Sequence, residues 1–167
     1  GMREAFLGDK DVQRIVTSAL SRHQVSVELC PDVQSLIWIV LNTKLKLGRA
    51  LVLPKIGSLK MLKEMEFLYP APATSNATRG YIRGFIDGLF EHDGKYYWLD
   101  WKSDRLKDYG RTSLLAHVHE NYGIQAELYT LALVRLLRLE DEDSFEKKFG
   151  GLIYVYLRGV GACKAPP

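Results

Sequence analysis

The strongest constraint on the fold is a pair of β-rich segments that flank a short polar turn. Tyr81–Phe90 and Lys95–Trp101 are rich in aromatic and β-branched residues, and His92-Asp93-Gly94 lies between them. Asp-Gly between two such segments is typical of a two-residue hairpin turn. The sequence therefore predicts a β-hairpin in which His92 faces Lys95 and the numbers of paired residues sum to 187.

This register places two acidic side chains directly opposite each other, Asp87 and Asp100. Residues paired in this way have Cβ atoms about 5 Å apart, and like charges in such a pair are destabilising. At an effective dielectric constant of about 20 the repulsion is about 3 kcal/mol, which is comparable to an ordinary core truncation. A divalent cation between the carboxylates would offset this cost, and hard oxygen ligands select Mg²⁺, Mn²⁺ or Ca²⁺ over zinc.

Lys102 follows Asp100 by two residues, so the alternation of a strand returns it to the same face. Two carboxylates, a metal ion and an amine together suit phosphodiester hydrolysis, because the metal polarises the phosphoryl oxygen and acidifies a water while the lysine steadies developing charge. The alternative is a surface strand with alternating polar residues, since Asp-x-Lys is a short and common pattern. A register slip of one residue would also send Asp87 to the other face.

The rest of the chain predicts one domain, residues 1–167, of the α/β class. The expected order is two helices, three strands, a helix and a final strand. The helical segment Ser113–Leu139 is expected to break near Tyr122-Gly123, and the apolar strand Leu152–Leu157 is typical of a buried central or parallel position. The other expected bounds are 9–48 for the two N-terminal helices with Gly48 as the stop, 49–60 for a connection, 61–69 for the first strand ended by Pro70 and Pro72, and 73–78 and 104–112 for loops.

Composition excludes several classes of protein. With 47% apolar and 26% charged residues, the chain is not of a disordered, collagen-like or coiled-coil type. The longest apolar run, Leu36–Leu41, is far short of the roughly 20 residues that a membrane-spanning helix needs, so no membrane partner is expected. The N-terminus has no basic stretch followed by an apolar core, which makes the cytoplasm the expected location. Cys30 and Cys163 lack the C-x-x-C spacing of a zinc cluster.

Charge is distributed unevenly along the chain. The net charge of +3 permits a polyanionic partner without arguing for one. Six basic and no acidic residues lie between Lys44 and Lys63, whereas Glu140 to Glu146 holds five acids in seven positions. We interpret each run as a solvated face.

Three segments, taken together, resemble a known family. They are residues 84–87, 98–103 (Trp-Leu-Asp-Trp-Lys-Ser) and 122–133, which contains Gln125 and Tyr129 in a Q-x-x-x-Y motif. In order and spacing they resemble the nuclease domain of RecB-like proteins, the exodeoxyribonuclease V beta subunits, within the PD-(D/E)XK nuclease superfamily. The resemblance covers most of residues 61–160, and it extends more loosely to the N-terminal helices.

The resemblance implies a restriction-endonuclease-like core, with helices packed on a central mixed β-sheet and extra N-terminal helices. It implies a Mg²⁺-dependent deoxyribonuclease of DNA repair and recombination, with DNA and the helicase or recombination subunits of a RecBCD-like complex as partners. Asp87, Asp100 and the main-chain carbonyl of Trp101 correspond to metal ligands, and Lys102 corresponds to the catalytic lysine. Gln125 and Tyr129 would share one helical face, able to meet DNA phosphates or that lysine.

One departure from the family pattern leaves an alternative open. RecB-like nucleases contribute a further metal ligand, usually a histidine, from a helix ahead of the region resembling residues 11–48. None of the four histidines of this sequence matches that role: His23, His92, His117 and His119 are expected to be surface or helix residues. The alternative is therefore a catalytically weak or inactive domain that binds DNA or a protein. Glu64 and Glu66 also match family positions, and a structural role is expected for both.

Overall fold

A computed structural model describes residues 1–47, 51–70, 80–139 and 141–160. The chain divides into two compact units, one built on residues 1–59 and the other on residues 60–159. The division falls next to the start of the expected nuclease core at residue 61. The assignment of residues 1–167 to a single domain stays a prediction.

In its described residues the first unit contains three α-helices and a two-stranded sheet. Asp9 caps the second helix, accepting hydrogen bonds from the main-chain N–H groups of Asp11 and Val12. This satisfies donors that a helix leaves unpaired at its start. The elements are α1 (Met2–Gly8), α2 (Lys10–Arg22), α3 (Cys30–Asn42), β1 (Lys44–Leu47) and β2 (Leu51–Lys55), with β1 and β2 antiparallel.

Two predictions for this unit were wrong. Helix α3 ends at Asn42 rather than at Gly48, because the chain turns extended at Thr43 and enters β1. Gly48 itself lies outside the described residues. The expected connection over residues 49–60 contains β2, which tolerates Pro54 because β2 pairs with β1 alone in a two-stranded sheet.

As far as the structure describes it, the second unit is a four-stranded mixed sheet with two α-helices, which confirms the α/β class. Its strands are ordered β3–β4–β5–β6, with the first two pairings antiparallel and β5–β6 parallel. The elements are β3 (Met61–Pro70), β4 (Tyr81–His92), β5 (Lys95–Lys102), α4 (Arg111–Leu136), α5 (Glu142–Lys148) and β6 (Phe149–Tyr156). The expected loop at 73–78 and Pro72 lie outside the described residues.

The predicted hairpin is confirmed in position and register. Five pairs join β4 and β5, from His92 opposite Lys95 to Gly88 opposite Leu99. Asp93 and Gly94 both adopt left-handed backbone conformations, with φ of 50° and 75°. Two such residues in succession form the tight turn whose twist matches that of the flanking strands.

The expected break in the long helix was wrong. Helix α4 continues without interruption from Arg111 to Leu136 through Gly123. One glycine in a helix interior costs only about 1 kcal/mol relative to alanine. The side chains on either side of the glycine make hydrogen bonds outside the helix. Tyr122 contacts Asp104 and Gln125 contacts Asp100. The helix therefore has enough tertiary support to pass through the glycine.

The last strand is parallel to β5, as expected, but it lies at the end of the four-strand order rather than at its centre. It begins at Phe149 and so includes Gly150, whose missing side chain leaves room for the ring of Tyr97. Helix α5, which begins in the acidic run and ends at Lys148, was not predicted. Its first turn is held by a capping box between Asp141 and Ser144.

The core of this unit lies between the sheet and α4. Ile86, Leu89, Trp98 and Leu133 form a buried cluster. Ile86 and Leu89 are three residues apart, so the alternation of side chains along β4 is interrupted between them. The interruption therefore lies in the segment Asp87-Gly88. None of the helices in the described part of the chain is long and apolar enough to cross a membrane.

Candidate active site

The sheet opens into a fork at the two predicted acidic residues. Pairing between β4 and β5 ends at Gly88 and Leu99. Beyond that point β4 stays paired with β3 as far as Tyr81, while β5 stays paired with β6 as far as Lys102. Asp87 and Asp100 are the next positions on the two separating strands. The regular ladder therefore stops one pair short of the expected Asp87–Asp100 pair.

Asp87 closes the fork with its side chain. Its Oδ2 atom accepts a hydrogen bond of 2.8 Å from the main-chain N–H of Trp101 on the other strand. Because β4 and β5 have separated here, the N–H of Trp101 has no partner on the β4 backbone, and the carboxylate accepts its hydrogen bond instead. Its other oxygen, Oδ1, has no hydrogen bond within the described ranges.

Asp100 and Lys102 form a buried ion pair on one face of β5. Lys102 Nζ lies 2.7 Å from Asp100 Oδ2, and each side chain is only 8% exposed. Burial raises the pKa of the Asp100 carboxyl above its ordinary value; hydrogen bonds from Lys102 and Gln125 oppose that shift, and the charge of Asp87 adds to it. The expected placement of Lys102 beside Asp100 is confirmed.

Gln125 joins both members of this pair from helix α4. Its Nε2 donates to Asp100 Oδ1 at 3.0 Å, and its Oε1 accepts from Lys102 Nζ at 2.8 Å. The amide therefore satisfies both charged groups at once and fixes their relative orientation. Gln125 thus contacts Lys102, one of the two partners that the sequence suggested for it.

Tyr129 is not brought into this network. One turn beyond Gln125, its ring packs edge-on against Phe67 at 4.9 Å between centroids and lies 5.4 Å from Trp98. Within the described residues its hydroxyl makes no hydrogen bond. Tyr129 therefore contributes packing beneath the network, against Trp98 on the strand that carries Asp100.

Two further tyrosines surround the Lys102 ammonium. Nζ lies 3.6 Å from the centroid of the Tyr122 ring and 4.9 Å from that of Tyr154. A cation over an aromatic face is attracted by the ring quadrupole, most strongly where water is excluded. Lys102 is thus held by a carboxylate, an amide oxygen and aromatic faces.

The Tyr122 ring is itself anchored. Its hydroxyl donates to Asp104 Oδ1 at 2.8 Å, and His117 Nε2 lies 3.3 Å from the same oxygen. Burial and the hydrogen bond to Asp104 raise the pKa of Tyr122 to about 12. Burial opposes ionisation of Asp104, but the bonds from Tyr122 and His117 outweigh it and lower its pKa.

Tyr122, Tyr154 and Asp104 were not predicted to belong to the site. Signals existed for Tyr122 and Tyr154, whereas no pattern pointed to Asp104. Tyr122 precedes Gln125 by three residues, so it lies on the same helical face. Parallel pairing of β6 with β5 sets Tyr154 beside Asp100.

The remaining candidate residues lie outside the network. Glu66 forms an exposed cross-strand ion pair with Arg83, in agreement with a structural role. Glu64 is exposed and has a left-handed backbone, with φ of 52°, at the position of β3 opposite Asp87. His23 and His119 are exposed, and His92 lies beside Asp93 at the hairpin turn.

A mixed sheet with helices, and an Asp…Asp-x-Lys site at the fork of its central hairpin, define a class of phosphodiester-cleaving proteins. The chain belongs to the PD-(D/E)XK nuclease superfamily, whose family model matches residues 14–164.

Three bacterial RecB subunits are similar to this chain. It is 46% identical over 88 residues to the RecBCD enzyme subunit RecB of Escherichia coli (strain K12), a match covering 49% of this chain and 8% of that protein. The RecB subunit of Haemophilus influenzae is 40% identical over 88 residues, covering 49% and 7%. That of Buchnera aphidicola subsp. Schizaphis graminum is 29% identical over 157 residues, covering 75% and 13%. The chain therefore spans a small part of these relatives.

The residues at the fork fit the divalent metal ions that nucleases of this superfamily use. Two carboxylates and one lysine leave a net negative charge, and Asp87 Oδ1 is free of hydrogen bonds in the described structure. Such a set of hard oxygen donors suits a divalent cation that needs one or two carboxylates and keeps its waters. No group of three or more His, Cys, Asp or Glu side chains comes together anywhere in the described ranges, so the fork itself offers two carboxylates.

Proposed function

We propose that this chain is a Mg²⁺-dependent deoxyribonuclease domain that hydrolyses phosphodiester bonds at the strand fork. The observation that carries the proposal is that Asp100, Lys102 and Gln125 each make a polar contact with the other two, next to Asp87. A buried acid and a buried amine, held by one amide, are costly to a fold. A stable surface strand would not need this arrangement.

Each side chain has a distinct part in the proposed reaction. Asp87 and Asp100 would hold the metal ion, with the carbonyl of Trp101 as a third oxygen ligand by family resemblance. When bound, the ion supplies Lewis-acid polarisation of a phosphoryl oxygen and lowers the pKa of a water. Lys102, whose ammonium is oriented by Gln125 and Tyr122, steadies negative charge that develops on the phosphate in the transition state. Tyr129 packs against Phe67 and Trp98 and has no direct part in the proposed reaction.

The relatives support a proposal for the biological process and the complex in which this activity takes part. Each of these relatives is a subunit of a RecBCD enzyme, so we propose that the domain acts in DNA repair and recombination within a complex that resembles RecBCD. We propose the cytoplasm as its location. An exodeoxyribonuclease V-like mode of cleavage is part of the same proposal.

Cleavage assays test the proposal directly. Supercoiled and linear DNA are incubated with the chain in Mg²⁺, in Mn²⁺ and in EDTA, and Asp100→Ala is assayed alongside. We expect cleavage that needs the metal and that Asp100→Ala abolishes. Cleavage that persists in EDTA or in Asp100→Ala would contradict the assignment of these residues.

A second candidate is a DNA- or protein-binding module without turnover. It is favoured by the fact that both oxygens of Asp100 are already engaged, one by Gln125 and one by Lys102. DNA binding without cleavage in any divalent metal, with binding unchanged in Asp100→Ala, would support this candidate over the first.

A further inference from the structure

A cleft in the first unit carries positive charge that the fork does not use. It has a volume of about 660 Å³ and is bordered by α1, the end of α3, and strands β1 and β2. Three cations line it, Arg3, Lys44 and Lys55, together with the indole of Trp38 and the amide of Asn42. None of the described residues that line the cleft carries a carboxylate.

Two of these cations face each other directly. Lys44 is the partner of Lys55 in the antiparallel pairing of β1 with β2. Like charges in such a pair are destabilising, although solvent moderates the cost because both side chains are exposed. Lys55 Nζ donates to Asn42 Oδ1 at 3.1 Å, so one ammonium is held at the wall of the cleft by a neutral group. An anion between the lysines would offset their repulsion.

The same cleft offers an apolar wall beside its cations. Trp38 is partly exposed, and the ring of Phe6 supports it at 5.3 Å between centroids with a tilt of 47°. Ile39, the next residue, is 39% exposed. Proteins that bind single strands without sequence preference combine two features. Cations contact the phosphates, and aromatic side chains beside them stack on the bases.

We propose that this cleft binds single-stranded nucleic acid, with backbone phosphates at Arg3, Lys44 and Lys55 and a base against Trp38. A duplex would keep its bases stacked and could offer the indole no face. The cleft would act as a holding site distinct from the fork. The proposal does not depend on catalysis, because binding needs neither Asp87 nor Asp100.

Fluorescence anisotropy with labelled oligothymidylate, in EDTA, tests the site on the full chain. We expect Lys44→Glu and Lys55→Glu to weaken binding and to reduce the slope of log K against log salt by at least about 0.7 each, the value for one lost phosphate contact on a single strand. Lys10→Glu is the matched control, since it makes the same charge change at an exposed residue of the same unit outside the cleft lining. Circular dichroism melting checks that each variant is folded.

A second variant separates stacking from charge. We expect Trp38→Leu to weaken binding roughly five- to hundredfold with an unchanged salt slope, and Trp38→Phe to restore most of the affinity. Lysine variants that bind like Lys10→Glu, with the same slope, would overturn the proposal. So would binding of an acidic peptide that depends on Lys44 and Lys55 while oligothymidylate stays unbound, because the occupant would then be a protein. These binding results would stand even if the fork showed no cleavage activity, so the two proposals can fail separately.

Discussion

The ammonium of Lys102 lies 2.7 Å from the carboxylate of Asp100, with both side chains 8% exposed. Such a pair is weak support for stability, because desolvating two charges offsets much of their attraction. The arrangement is better explained by the proposed chemistry, in which the amine lies beside a carboxylate that holds a metal ion.

Replacing Lys102 by alanine should separate binding of the metal from turnover. Lys102 is not among the proposed ligands, so Mn²⁺ affinity in Lys102→Ala, measured by calorimetry, should be retained. Cleavage should fall roughly 100- to 1000-fold, the usual cost of losing one group that stabilises transition-state charge. Lys95→Ala, at the other end of β5 and bonded to the carbonyl of Glu146, is the matched control. Loss of metal binding together with turnover would mean that the lysine is purely structural.

Replacing Asp87 by asparagine should make the metal-free chain slightly more stable. The amide oxygen can still accept the N–H of Trp101, while the charge that raises the pKa of Asp100 is removed. We expect an increase of up to about 1 kcal/mol in the free energy of unfolding in EDTA. The stabilisation that Mn²⁺ gives should be lost at the same time. Asp93→Asn, at the exposed hairpin turn, should keep that stabilisation; if Asp87→Asn also keeps it, Asp87 is no ligand.

The sequence was sufficient for the parts of the site that local geometry determines. The Asp-Gly turn fixes the hairpin register, and strand alternation then sets Lys102 on the face of Asp100. The residues concerned, Asp87 to Lys102, are close in sequence, and over such a span backbone geometry alone decides which side chains meet.

Contacts made by helix α4 could not be predicted in the same way. The sequence placed Gln125 near the lysine only through a family resemblance, and it gave Tyr129 the same partner. Which of the two contacts Lys102 depends on how α4 packs on the sheet. In the structure the Tyr129 ring packs against Phe67 and Trp98 instead. Helix packing is set by many long-range side-chain contacts that no single spacing encodes.

Removing the Gln125 amide should shift the pH dependence of the site. Its hydrogen bond lowers the pKa of Asp100, so Gln125→Ala should raise that pKa further above the ordinary value. Because the ionised carboxylate is the form that binds a cation, the acid limb of kcat/KM should move to higher pH. A ¹³C NMR titration of the aspartate carboxyls gives the same answer without turnover. Glu127→Ala, an exposed neighbour on α4, should leave both profiles in place; an Asp100 pKa that Gln125→Ala leaves unchanged contradicts the prediction.

Substitution of Tyr122 should show whether an aromatic face orients the lysine. Nζ lies 3.6 Å from the centre of the ring, so the ε-methylene protons of Lys102 should carry an upfield ring-current shift in ¹H–¹³C NMR. Tyr122→Phe keeps the ring and loses the bond to Asp104, and it should retain most of this shift. Tyr122→Leu should lose the shift, and kcat should fall roughly 2- to 30-fold with little change in KM, the range expected for one cation–π contact.

The Tyr122 comparison distinguishes orientation of the lysine from simple support of the fold. A structural role would lower the melting temperature of Tyr122→Leu and leave the kcat of the folded fraction unchanged. Tyr81→Leu, at a residue 69% exposed at the start of β4, controls for loss of an aromatic ring elsewhere in the unit. If Tyr122→Phe loses as much activity as Tyr122→Leu, then the hydrogen bond to Asp104, rather than the ring face, is what holds Lys102 in place.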